Sequence, residues 1–145
     1  MKKFVFSLDR AMDWRRSQAR LEETRLESLH AERSAIDARD AALKEELAAS
    51  ERALIAVPSA TGFEMAALDA FRRYTIAESV RSAHARADCH KRIAAQLKVV
   101  TLRRRDIRLL ENLKDRRLKA WEVELVRDTG RQADETYLAK WNRRQ

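Results

Sequence analysis

The sequence predicts an all-α fold, a long antiparallel two-helix coiled-coil hairpin with unequal arms and a turn near residues 58–62. Three observations lead there. Of 145 residues only two are glycine (Gly62, Gly130) and one is proline (Pro58), and charged side chains make up 37% against 6% aromatic. That balance belongs to long helices and coiled coils rather than to a thick core. Leucine, isoleucine and valine also recur at helical spacing, which a disordered chain of similar charge would lack. The one strong interruption is Pro58-Ser59-Ala60-Thr61-Gly62.

The first helix is expected over about residues 5–57. Alternating steps of four and three trace a seam through Leu8, Met12, Arg15, Ala19, Glu22, Leu26, Leu29, Arg33, Ile36, Asp40, Leu43, Leu47, Ser50, Leu54 and Val57. Ten of these fifteen are apolar, which suits a coiled-coil edge; the polar members weaken pairing and set register. Pro58 cannot continue a helix and pushes Val57 out of the helical region. Thr61 and Glu64 then stand at capping-box spacing, so a second helix starts at about residue 63 and runs to about 142. A break this short joins antiparallel helices.

In the second arm the expected seam is Ile76, Val80, Ala83, Ala87, His90, Ile93, Leu97, Val100, Arg104 and Ile107. After a slip in the repeat it continues through Leu110, Leu113, Leu118, Trp121 and Leu125. At 1.5 Å per residue the arms span roughly 75–80 Å and about 120 Å. The second arm therefore overhangs the first or folds back, and the overhang is the expected arrangement. Gly130 marks a soft point within it. The whole chain, residues 1–145, reads as one domain.

The net charge is +8. Residues 1–57 carry 11 basic and 11 acidic side chains, whereas residues 72–108 carry 11 basic and only three acidic ones, Glu78, Asp88 and Asp106. A one-sign arm beside a mixed-sign arm points to an acidic partner, or else to a solvated basic face. Cys89 is the single cysteine, which suits a reducing compartment. The start from Met1 to Leu8 has the look of a leader, but Asp9 and Arg10 end its apolar stretch too early. The apolar run Ala53–Val57 is too short to span a bilayer. A cytoplasmic protein is expected.

Two isolated glycines cannot build a phosphate-cradling loop. Asp88, Cys89 and His90, with His84 nearby, point in diverging directions on a helix, so they do not converge as zinc ligands do. Three histidines (His30, His84, His90) on straight rods offer no pocket for a nucleophile and its base. The expectation is therefore no enzyme, no cofactor, no metal and no small-molecule substrate. Arg103-Arg104-Arg105 followed by leucines has the flavour of a basic region entering a zipper, yet the heptad is short-lived and the segment lies inside the hairpin. The face opposite those charges is committed to the partner helix, which also disfavours a membrane-surface role.

Two stretches carry a resemblance. The opening Lys3-Phe4-Val5-Phe6-Ser7-Leu8-Asp9-Arg10 sets an aromatic pair around one residue before a leucine, followed by Arg16, Arg20 and Glu22 or Glu23. The distal run Asp106-Ile107-Arg108-Leu109-Leu110-Glu111-Asn112-Leu113-Lys114-Asp115-Arg116-Arg117 is followed by Ala133-Asp134-Glu135. Together they resemble the FliJ family of flagellar type III export proteins, although Trp14 stands where a smaller or aliphatic residue is usual. The resemblance implies a fold like the central shaft of rotary ATP synthases. It also implies a seat in the hexameric export ATPase ring, and contacts with the cytoplasmic domain of the export-gate membrane protein and with export chaperones. It places the protein in the cytoplasm, peripheral to the inner membrane.

On that reading the ring-facing end comprises Phe4, Phe6, Arg10, Arg16, Arg103, Arg104, Arg105, Arg108, Lys114, Arg116 and Arg117. Arginine's planar fork suits directed contacts to the carboxylates of acidic ring loops. The gate or chaperone contact is Phe63, Phe71, Tyr74, Ile76 and Val80, flanked by Met65 and Leu68, because these exceed what one seam buries. A small local core capping the hairpin is the alternative for that cluster. Two other functional readings remain open: a coiled coil binding nucleic acid through residues 72–108, and the equivalent stalk of a virulence secretion system.

Overall fold

The structure, a computed structural model that describes residues 3–143, is an all-α hairpin of two helices packed against each other with unequal arms. Helix α1 covers Asp9–Ile55 (47 residues) and α2 covers Gly62–Asn142 (81 residues). The expected bounds shift a little. α1 begins at Asp9 rather than near residue 5, because residues 4–8 end in a turn, with the Asp9 N–H bonded to the Phe6 carbonyl at 3.1 Å, and form a clasp onto α2. It ends at Ile55, two residues before Val57, and the last backbone bonds there are Ala56 N to Arg52 O and Val57 N to Leu54 O. α2 starts at Gly62 behind the expected cap. The Thr61 backbone N–H donates to Glu64 Oε2 at 2.7 Å, and the Glu64 N–H donates to Thr61 Oγ1 at 3.3 Å. These bonds hold the Glu64 carboxyl below its usual range, through the Thr61 backbone first and its hydroxyl second.

The hairpin divides into two compact units, Leu21–Val100, which holds the turn, and Met1–Arg20 with Thr101–Gln145. In the turn-bearing unit the seam of α1 is the expected one. Leu26, Leu29, Ile36, Leu43, Leu47 and Leu54 are half-buried, and Glu22 and Asp40 are buried. Ser50 and Val57 lie outside it, exposed near the turn where the helices end.

The seam of α2 differs from the expected one by a residue. Thr75, Ser79, Ser82, Arg86, Cys89, Ile93, Gln96 and Val100 face α1, whereas Ile76, Val80, Ala83, Ala87, His90 and Leu97 are exposed. The reason is periodicity. Ile93 and Val100 are buried, and stepping back from Ile93 by four and three reaches Cys89, Arg86, Ser82, Ser79 and Thr75. Reaching His90 and Ala87 instead needs two consecutive steps of three, a slip in the repeat that would locally overwind the helices.

That face of α2 is polar, and it satisfies the buried acids of α1. Asp40, 7% exposed, accepts from Lys44 Nζ at 2.7 Å and from Ser79 Oγ at 2.8 Å, with Arg86 Nη2 at 3.8 Å. Glu22 accepts from Gln96 Nε2 at 2.7 Å and Arg25 Nη1 at 2.9 Å. Gln96 Nε2 also donates to the Glu22 carbonyl at 3.0 Å. The Cys89 thiol, fully buried, donates to the Leu29 carbonyl at 3.4 Å. Among the described residues no buried side-chain nitrogen or oxygen lacks a partner.

In the other unit, Met12 and Ala19 of α1 are buried. Leu110, Leu113, Leu118, Trp121 and Leu125 of α2 are half-buried as expected, while Arg104 is exposed and Arg103 takes the inward position. α2 continues unbroken to Asn142, so the overhang is what forms. From Val126 to Arg143 every residue is exposed.

Two stability measurements follow. Thr61→Ala removes the bond its hydroxyl accepts from the Glu64 N–H and the one it donates to Glu64 Oε2 at 2.9 Å, and should cost about 1 kcal/mol in chemical denaturation. The hydrogen bonds from Lys44 and Ser79 hold the Asp40 carboxyl below its ordinary range. A carboxylate depressed in the folded state stabilises it above the ordinary aspartate pKa and loses that contribution as pH falls through the depressed value. Asp40→Asn should therefore lower the melting temperature at pH 7, and the difference from wild type should close as pH is taken down through that acidic window. A deficit that persists unchanged in acid would show that shape, not charge, is what Asp40 supplies.

Candidate protein-docking surfaces

Residues 4–8 tie the N-terminal end of α1 to α2. Phe6 is only 3% exposed, with Lys114 Nζ 5.8 Å and the Arg117 guanidinium 5.7 Å from its ring centre. Cations over an aromatic face are attracted by its quadrupole. Phe4 meets Trp121 at 5.9 Å between centroids in a tilted pair. Ionic ties continue along the helices: Lys114 to Asp9 at 2.7 Å, Arg16 to Glu111 at 3.0 Å and Arg15 to Asp106 at 3.2 Å. Arg117 Nη1 donates to Ser7 Oγ at 3.2 Å.

The residues expected at a ring contact therefore separate into two kinds. Phe4, Phe6, Arg16, Lys114 and Arg117 are engaged within the chain and hold the two ends of the hairpin's open side together. Arg103 is half-buried in the seam, and Arg104, though exposed, has a partner of its own. Arg10, Arg105, Arg108 and Arg116 are exposed, and no ion pair among the described residues engages them. They are the members of the expected ring contact that stay free among the described residues.

The residues expected at a gate contact all belong to the turn-bearing unit. Phe63 is 84% exposed and Ile76 65%, and Val80 and Tyr74 are also exposed. Phe71 is half-buried and stacks on Tyr74 at 6.4 Å. Met65 and Leu68 line a shallow depression with Leu54, Ile55 and Arg72. The rotation that puts Thr75 and Ser79 inward turns Ile76 and Val80 outward, so their exposure follows directly from the seam register.

The basic excess of residues 72–108 is in part answered within the hairpin, which charge counting along the chain did not reveal. Arg72 pairs with Glu51 at 2.7 Å, Arg86 with Asp37 at 2.6 Å, and Arg92 with Glu32. The signal was available: in an antiparallel pair, facing residue numbers add to a constant. Placing Gln96 on Glu22 would have placed Ser79 within one residue of Asp40. Lys91 and Lys98 remain exposed without an ion pair among the described residues. Asp88 and His90 are exposed while Cys89 is buried between them, so the three side chains diverge.

No protein-family model, curated protein or solved structure matches the chain. Among the described residues, no helix is long and apolar enough to cross a membrane.

Truncating the clasp tests its role. Phe6→Ala should destabilise the chain by about 3 kcal/mol, the low end for losing a buried phenylalanine. Hydrogen exchange should rise first near residues 113–121, which Phe4 and Phe6 cover. Protection unchanged in that stretch would show that the clasp does not secure α2.

Proposed function

We propose that this chain is a non-enzymatic, shaft-like adaptor of the flagellar protein export apparatus, in the manner of the FliJ family it resembles. Its clasped end seats in the acidic bore of a hexameric export ATPase, promoting ring assembly. The exposed apolar face around Phe63, Tyr74, Ile76 and Val80 meets the cytoplasmic domain of the export gate or a substrate chaperone. The observation that carries this reading is the separation of charges in the terminal unit. Arg16, Lys114 and Arg117 are used to close the hairpin, while Arg10, Arg105, Arg108 and Arg116 are left free on its surface. A rigid end with unanswered guanidinium groups suits bidentate contacts to carboxylates. The nucleic-acid reading is weakened by the same accounting, since Arg72, Arg86 and Arg92 already pair with acids of α1.

The test is charge reversal at residues that carry no internal tie. Exposed pairs are individually worth less than about 1 kcal/mol, so reversals are combined. Arg105→Glu, Arg108→Glu and Arg116→Glu together should raise the concentration needed to stimulate the export ATPase by about tenfold, with helicity unchanged by circular dichroism. The loss should shrink as salt rises. Lys91→Glu with Lys98→Glu, reversing free cations in the other unit, is the control and should leave stimulation intact. Arg33, Arg39 and Lys44 are unsuitable controls, because they pair with Asp37, Glu78 and Asp40 within the fold. Undiminished stimulation by the triple variant would remove the ring-seating role. Steeply salt-dependent duplex binding, abolished by the Lys91 and Lys98 reversals, would favour the nucleic-acid reading instead.

A further inference from the structure

Past the end of the hairpin seam, α2 carries a second apolar stripe on a different face. Val123, Val126, Gly130, Ala133, Tyr137 and Trp141 fall within a sector of about 80° at 3.6 residues per turn. The seam residues Leu118, Trp121 and Leu125 lie about 120° away from it. The stripe is therefore no continuation of the contact with α1. Its large members are open to solvent: Val126 is 70% exposed, Tyr137 66%, Trp141 56% and Val123 51%. Gly130 sits at its middle inside a helix, where glycine costs about 1 kcal/mol relative to alanine. A methyl group there would meet nothing within 4 Å, so nothing within the chain requires a glycine.

We propose that this segment, residues 122–143, pairs antiparallel with the same segment of a second copy of the chain. The stripe is graded, with valines at its N-terminal end, glycine and alanine in the middle, and aromatics at its C-terminal end. Antiparallel pairing sets Val126 against Tyr137 of the second copy and Gly130 against Ala133, so valine meets aromatic toward each end and small residues meet at the centre. A shallow depression lined by Lys119, Glu122, Val123, Val126 and Arg127 receives the aromatic end of the second copy. The small central pair lets the backbones approach, which accounts for Gly130.

The flanking charges complement one another in the same orientation. On one side Arg127 faces Asp134 of the second copy, and on the other Glu122 faces Arg143, each pair occurring twice by symmetry. No ion pair among the described residues engages any of these four in the single chain. Parallel pairing would set Trp141 on Trp141 and Gly130 on Gly130, and would leave Asp134 and Arg143 unanswered.

The stripe offers a patch of a few hundred Å² per copy, the size at which exposed apolar surface marks an interaction. Two such patches reach only the low end of specific interfaces, so the dissociation constant should be on the order of micromolar. This inference does not rest on the export reading, and its test uses no ATPase. The full chain is followed by analytical ultracentrifugation from about 1 to 300 μM at low salt, spanning that expected constant. A reversible monomer–dimer equilibrium is expected. Arg127→Glu alone and Asp134→Arg alone should each weaken it about fivefold or more, and the two together should restore it. Gly130→Leu should raise helicity, because leucine is the better helix former, yet abolish the dimer by blocking close approach. A monomer throughout the range, a double exchange no better than either single change, or an unaltered dimer in Gly130→Leu would each overturn the proposal.

Discussion

The structure depends on burying two carboxylates, Glu22 and Asp40, in a seam only two helices thick. A buried charge is costly unless its hydrogen bonds are made. Each acid brings one donor from its own helix, Arg25 or Lys44, and takes another from α2, Gln96 or Ser79. Turning α2 to bring Ile76 and Val80 inward would bury more apolar area but strand Asp40 without Ser79 and Arg86. Ile76 and Val80, with the smaller Ala83 and Ala87, would contribute several kcal/mol of burial, at about 1.5–3 kcal/mol for each large side chain. They would also have to break the continuous heptad set by Ile93 and Val100. The polar face wins because two constraints demand it together, satisfaction of the acid and continuity of the helix.

This conflict also explains what could be read without coordinates. The hairpin, the position of its turn, the Thr61–Glu64 cap and nearly the whole α1 seam were legible. Each rests on strong local signals: a proline, a capping-box spacing and a run of leucines at steps of four and three. The α2 seam between residues 75 and 90 was not legible from hydropathy, since the face that packs is Thr, Ser, Ser, Arg and Cys. Apolar periodicity points to the more apolar face, and here that face is the outside. Continuity of the heptad back from Ile93 and the need of Asp40 for a donor across the seam identify the true one, and the second involves two residues 39 positions apart.

The expected contact residues stood out by residue type more than by role. Phe4 and Phe6 stand out in the sequence as an aromatic pair, but the structure spends both on closing the hairpin, with Lys114, Arg117 and Trp121. Charge counting could not divide engaged arginines from free ones, because an ion pair across the hairpin joins residues that are distant in the chain. Arg16 and Arg105 are indistinguishable as letters. Glu111 opposite Arg16 makes the difference.

A polar seam has a further consequence for what such a hairpin can do. When apolar side chains line the interface between helices, the outside is left charged and uniform. Here part of the apolar content is displaced outward, to Ile76 and Val80 in the turn-bearing unit, because the heptad fixes which way each residue of α2 points. The Val123–Trp141 stripe stays exposed for a different reason, since α2 there extends past the seam with α1. Scattered exposed apolar residues need no explanation, but aligned ones at helical spacing are the form in which a helix meets another helix. The same register that holds the two helices together therefore sets which apolar residues of α2 beside α1 stay exposed.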